Sequence, residues 1–181
     1  MLCLIVVVFC CCCFFGGVGY LFFFFKVQYI FYGIHFKKYA VNVCVCVSAP
    51  VLIVKKFLPL LMREAKTNAS LPICYSRAAI INISSVLGSV ERTLKTSHKG
   101  YHYHASKAAL NMMTAIMSMD LRDCGILVAA IHPGWVKTDM GGQNADLEKS
   151  MSIESCWSTI SSLAEESTGR LLSYDGKVIP W

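Results

Sequence analysis

No charged residue occurs before Lys26, and Leu2–Phe25 ("LCLIVVVFCCCCFFGGVGYLFFFF") runs 24 residues without one. The start also lacks the basic residues and the small-residue cleavage site of a secretory signal. Zinc-ligand spacing is missing too. Seven of the ten cysteines lie before residue 47, Cys10–Cys13 are contiguous, Cys44 and Cys46 form only C-x-C, and Cys74, Cys124 and Cys156 are scattered. Adjacent cysteines are not a disulfide framework, so they read as free thiols in a reducing compartment. Acidic residues are scarce at the front: eight Lys/Arg stand against one Glu up to Arg77, and nine against ten beyond it. The formal charge of +6 therefore belongs to the front of the chain and gives no argument for nucleic-acid binding. No internal repeat is visible.

The uncharged run is long enough to cross a bilayer as a helix, which takes roughly 20 residues. Lys26, Lys37 and Lys38 follow it, and the positive-inside bias would leave the rest of the chain cytoplasmic. Two readings stand: a transmembrane helix over about 2–25, or an unanchored apolar segment or artefact such as the Cys/Phe/Val runs that a wrong gene model yields.

Val41–Val47 ("VNVCVCV") alternates β-branched residues with others and predicts a short strand. Leu52, Ile53, Phe57, Leu60 and Leu61 recur at helical spacing, with Pro59 expected to kink or shorten that helix. Asn68–Pro72 reads as a loop. "AAIINIS" at 78–84 is an apolar run of strand length, suited to a sheet covered on both faces. Residues 89–100 read as loop, and a helix is expected from Tyr101 to Asp123, with Gly125 just past its end. "ILVAAIHPG" is a second buried strand stopped by Pro133–Gly134, and Asp146–Glu166 is helix-permissive. "GRLLSYDGKVIPW" closes with a short strand and an Asp-Gly turn. Strand and helix alternate as in an α/β layer fold with a parallel sheet.

Tyr103 and Lys107 lie four residues apart on one helix face, with Cβ atoms roughly 5–6 Å apart. An ammonium beside a phenol favours the phenolate, drawing its pKa down from about 10. Such a phenol can give a proton to a carbonyl oxygen or take one from an alcohol. Tyr101 cannot play this part, because Ala105 stands four residues on. Ser85 ends the strand before the helix, and in open α/β sheets ligands bind at the carboxyl ends of strands. A hydroxyl there can hydrogen-bond the same substrate oxygen. The next strand opens on the same edge with "HPGWVKTDM", bringing Pro133, Gly134 and Thr138. His98, His102 and His104 are not completed to a metal set by a carboxylate or cysteine, so no metal is expected. His132 reads as a packing residue, and the Met-rich helix as core or interface.

"APVLIVKKFLPLL", "AAIINISSVLGS", "YHYHASKAALNMM", "ILVAAIHPGWVKTDMGG" and "YDGKVIPW" follow one another over residues 49–181. This stretch resembles the C-terminal part of a short-chain dehydrogenase/reductase, within it the C-factor-like and sniffer-like carbonyl reductases. The resemblance implies an α/β fold: the C-terminal portion of a Rossmann-type doubly wound parallel sheet over 48–181, preceded by an unrelated apolar segment, 1–47. It implies Tyr103 as general acid/base, Lys107 as the group that lowers its pKa and bonds the nicotinamide ribose, and Ser85 as the residue positioning the carbonyl. Pro133, Gly134 and Thr138 would line the nicotinamide side of NADP (or NAD). The substrate would be a small carbonyl or alcohol, and the helices around 50–66 and 101–123 would pair across a homodimer.

The family pattern also has a Gly-rich turn, T-G-x-x-x-G-x-G, cradling the pyrophosphate. The sequence has only "GGVGY" at 16–20, with the wrong spacing, and no N-N-A-G. Cys46 stands where the pattern has asparagine, and a thiol is a weak hydrogen-bonding group beside a carboxamide. The expectation is an incomplete oxidoreductase, weak or inactive as given, with an unpaired edge on its central strand. The alternative is a membrane-anchored, catalytically dead remnant that binds a partner.

Overall fold

A computed structural model describes residues 4–8, 44–95 and 100–181. Its centre is a five-stranded sheet in the order β1 (Ile5–Val8), β2 (Ala79–Ile83), β3 (Leu127–His132), β4 (Leu171–Ser173) and β5 (Val178–Ile179). The first four strands are parallel, and β5 returns antiparallel on β4 after the turn at Asp175–Gly176. Every residue of β2 is buried, as are the first five of β3, which is why both read as unbroken apolar runs rather than alternating ones.

Helices cover both faces. Helix α1 (Ala49–Thr67) and helix α3 (Tyr101–Asp120) contribute Val54, Leu61, Ala65 and Met117 to one core, against Val6, Ile80 and Val128. Helix α4 (Lys149–Ser161) and the segment after it contribute Ile160 and Leu163 to the other core, against Ile81, Ala129 and Ile131. Between β2 and α3 the chain makes a 3₁₀ turn, Val86–Gly88, and a single helical turn, α2 (Val90–Thr93), where the sequence alone reads as loop. Serines cap both: Ser85 Oγ accepts from Leu87 N and Ser89 Oγ accepts from Arg92 N.

Four sequence expectations change. Ile5–Val8 is a strand hydrogen-bonded in register to β2, Ile5 opposite Ala79 and Val6 opposite Ile80, so these four residues are not part of the helix expected over 2–25. The rest of that apolar stretch, with residues 9–43, lies outside the described residues. No helix among the described residues is long and apolar enough to cross a membrane. The edge of β2 that was expected to be unpaired is therefore covered by β1. In "VNVCVCV", Cys44–Ser48 forms a π-helical turn leading directly into α1 and packing on α3 rather than a strand, with Cys46 fully buried. Local β-propensity yields here to tertiary packing. Finally, α1 is not shortened at Pro59 but continues through it, and Pro59 lies on its exposed side, where the carbonyl that loses its donor can meet water.

The docking of β1 is testable. Val6→Asp places a carboxylate in the apolar core of Val54, Leu61 and Ile80, so the variant should lose at least about 2 kcal/mol of unfolding free energy in urea. An unchanged midpoint would mean that Ile5–Val8 does not pair with the sheet.

Candidate active site at the carboxyl edge of the sheet

Parallel pairing brings the ends of β2 and β3 to one edge, with Ile83 opposite Ile131. Ser84 and Ser85 leave β2 there, and Pro133 leaves β3. Helix α3 packs against this layer with Lys107, Asn111 and Thr114 buried, and Tyr103 half-buried one turn before Lys107.

Lys107 is fully buried (0% exposed). Its Nζ donates to the Ile83 carbonyl at 3.0 Å, two residues ahead of Ser85. It also lies 5.7 Å from the centroid of the Tyr103 ring, within range of a cation–π attraction. Lys107 thus joins the helix of Tyr103 to the strand end of Ser85. Ser85 is buried, and its Oγ accepts from Leu87 N at 3.1 Å, which leaves its own O–H for an acceptor.

The loop after β3 is braced from within. Gly134 has φ +85°, and a Cβ there would come 2.3 Å from Leu147 Cδ1, so only glycine fits. Ser152 Oγ donates to the Pro133 carbonyl at 2.7 Å, and Thr138 Oγ1 accepts from Gly141 N at 3.0 Å. Pro133 and Gly134 thus leave β3 at the edge that carries Ser85, and Thr138 lies farther along the same loop, which has its own hydrogen bonds.

Three residues not singled out in the sequence complete the geometry. Ser84 Oγ donates to Asn111 Oδ1 at 2.5 Å, with both residues buried. At Gly88 a Cβ would come 2.6 Å from the Lys107 carbonyl carbon and 2.7 Å from Asn111 Nδ2, so the 3₁₀ turn lies directly against α3. The available signal was the four-residue period Tyr103–Lys107–Asn111, which places all three on one face.

His132, read from sequence as packing, ends β3 on this layer. Burial first, and then the Lys107 charge, push its pKa down to about 4 from 6.5, with Asp175 opposing. Its Nδ1 is buried without a hydrogen-bond partner among the described residues. His102 and His104 lie on α3, His98 lies outside the described residues, and no group of three metal-capable side chains occurs among the described residues. Cys156, on α4, has its thiol pushed up to about 11 by burial, so it is no thiolate nucleophile near neutrality.

The depressed His132 pKa has a signed consequence. Between pH 6.5 and about 4 the unfolded chain takes up a proton that the folded chain refuses. Its contribution is fully present above pH 6.5 and is lost as pH falls toward 4, by an amount on the order of 3 kcal/mol. Urea midpoints at pH 7 and pH 4.5 should differ markedly in the wild type and less in His132→Gln. An equal drop in both would remove His132 as the cause.

The profile described as short chain dehydrogenase matches residues 37–149, beginning within the segment that the sequence reading sets apart. Carbonyl reductase Sniffer of Drosophila melanogaster superposes with a TM-score of 0.77 at 41% identity, over 80% of this chain and 58% of that one. An NADPH-bound carbonyl reductase from chicken fatty liver superposes with a TM-score of 0.73 at 39% identity, over 80% and 57%. C-signal of Myxococcus xanthus is 39% identical over 117 residues, 64% of this chain and 69% of that protein. The chain thus spans less than three fifths of the two solved reductases' length. With the parallel sheet and the edge that carries Tyr103 and Lys107, these matches show that the chain belongs to the short chain dehydrogenase family.

Proposed function

We propose that this chain carries the proton-transfer site of an NADP(H)-dependent carbonyl reductase, acting on a small aldehyde or ketone, with a weakened hold on the nucleotide. The observation that carries the reading is the fully buried Lys107 ammonium, fixed on the end of β2 beside Ser85 and one helical turn from Tyr103.

In this reading the substrate carbonyl oxygen accepts from the Tyr103 hydroxyl and the Ser85 hydroxyl. Tyr103 gives its proton as negative charge develops on that oxygen, and Ser85 holds the charge. Lys107 favours the phenolate that Tyr103 becomes, because an opposite charge nearby stabilises the ionised form. An ammonium has three N–H groups; one is on the Ile83 carbonyl, and the hydroxyls of a nicotinamide ribose would suit the others. The residues present therefore fit the nicotinamide end of the cofactor, with Pro133, Gly134 and Thr138 beside the ring. NADPH, when bound, supplies the hydride.

The pyrophosphate end fits poorly, because no T-G-x-x-x-G-x-G occurs in the sequence. Cys46 is buried at the position where the family resemblance calls for an asparagine that holds a relay water. Exposed apolar side chains on α1 (Leu52, Phe57, Leu60, Met62) and α3 (Met112, Ile116, Met119) favour pairing with a second copy.

Calorimetry of this chain with NADPH should show no binding in the micromolar range; a micromolar dissociation constant would reject the weakened hold. At NADPH concentrations high enough to give turnover, Tyr103→Phe should lower carbonyl reduction by at least about 100-fold. Turnover within a few-fold of the wild type would reject the proton-transfer role.

A further inference from the structure

The turn that carries Ser85 touches α3 at three separate points. Lys107 Nζ holds the Ile83 carbonyl, Ser84 Oγ holds the Asn111 amide, and Gly88 lies against the Lys107 carbonyl with no room for a Cβ. Two of the three are not explained by the chemistry assigned to the site. We propose that Ser84, Gly88 and Asn111 are positioning residues: a clamp that holds the Ser85 turn in register with the Tyr103–Lys107 pair. This rests on the reading of the site given above.

The energetics favour positioning over simple stabilisation. Asn111 Nδ2 is buried and makes no hydrogen bond among the described residues, a state that costs free energy. Replacing both members of a buried polar pair by apolar groups of similar shape is close to neutral, whereas removing one is not. A site selected only for stability has no need of Ser84 and Asn111. What the pair supplies is direction. A hydrogen bond fixes one strand residue against one helix residue, and apolar contact allows sliding between them. Ser84 precedes Ser85, and Asn111 is one turn beyond Lys107, so an offset at this bond passes directly to the two groups that must meet one substrate oxygen. Displacements of about 1 Å in such groups are enough to cost about 100-fold in rate. Gly88 sets the same register by contact. Its missing Cβ lets the turn approach until Lys107 and Asn111 stop it.

The test uses the full chain and needs no cofactor. In the double variant Ser84→Ala/Asn111→Leu, thermal stability should stay near that of the wild type. The amides of Leu87, Gly88 and Ser89, which bond Ser85 Oγ, Ser85 O and Val86 O, should exchange about tenfold faster, as loss of one ordinary hydrogen bond predicts. The Lys107 side-chain NMR signals should move with them. Gly88→Ala, which deletes no polar group, should move the same signals from the other side. Leu61→Ala, in the α1 core, controls for general loss of stability and should leave the Lys107 signals in place. If Lys107 signals and turn amides in the double variant and in Gly88→Ala match the wild type, or change only as they do in Leu61→Ala, the clamp is overturned. If the clamp variants behave as stated while Tyr103→Phe retains turnover, the clamp stands and the catalytic reading fails.

Discussion

A charged amine with no exposure to water has to be held by something. Burying an ammonium costs several kcal/mol even after relaxation, and the cost is offset only where good partners surround it. Lys107 has the Ile83 carbonyl at 3.0 Å and the Tyr103 ring within cation–π range. That requirement ties α3 to the end of β2. A leucine at 107 would fill such a space at less cost in desolvation. The charge therefore sits between the Tyr103 ring and the strand end that leads into Ser85.

The sheet makes that meeting possible. Parallel strands open all their carboxyl ends on one edge, so Ser85 after β2 and Pro133 after β3 arrive together although 48 residues separate them. Helix α3 then has only to cross that edge. Its buried residues mix characters: Lys107, Asn111 and Thr114 are polar, Leu110 among them is apolar, and Met117 enters the apolar core. The buried polar seam continues into the sheet, where Asn82 Nδ2 donates to Thr114 Oγ1 at 2.9 Å. His132 sits at the end of this layer, kept neutral near pH 7 by its burial and then by the Lys107 charge.

The β1 edge of the sheet shows how a short apolar run finds a place. Apolar runs do not declare helix or strand by periodicity alone, and length argued for a helix over residues 2–25. Ile5–Val8 instead meets an exposed row of backbone donors and acceptors on β2, and pairing satisfies both strands. Val6 gains an apolar neighbour in Ile80 on one face, while Ile5 and Val7 pack against the other. "VNVCVCV" went the other way. Read as a strand, its Cys44–Ser48 part winds as a helical turn because it leads into α1 and lies on α3.

The sequence by itself determined the α/β alternation, the two central strands, the helix from Tyr101, the family, and the placement of Tyr103 and Lys107 on one face. All of these depend on local periodicity or on motifs within one or two elements. Tertiary structure alone decided that β1 completes the edge of β2, that Lys107 is anchored on Ile83, that Ser84 reaches Asn111, and that Gly88 must lack a side chain. Each joins residues brought together only when a helix settles on a sheet, and periodicity within one element carries no information about which neighbour that element will meet.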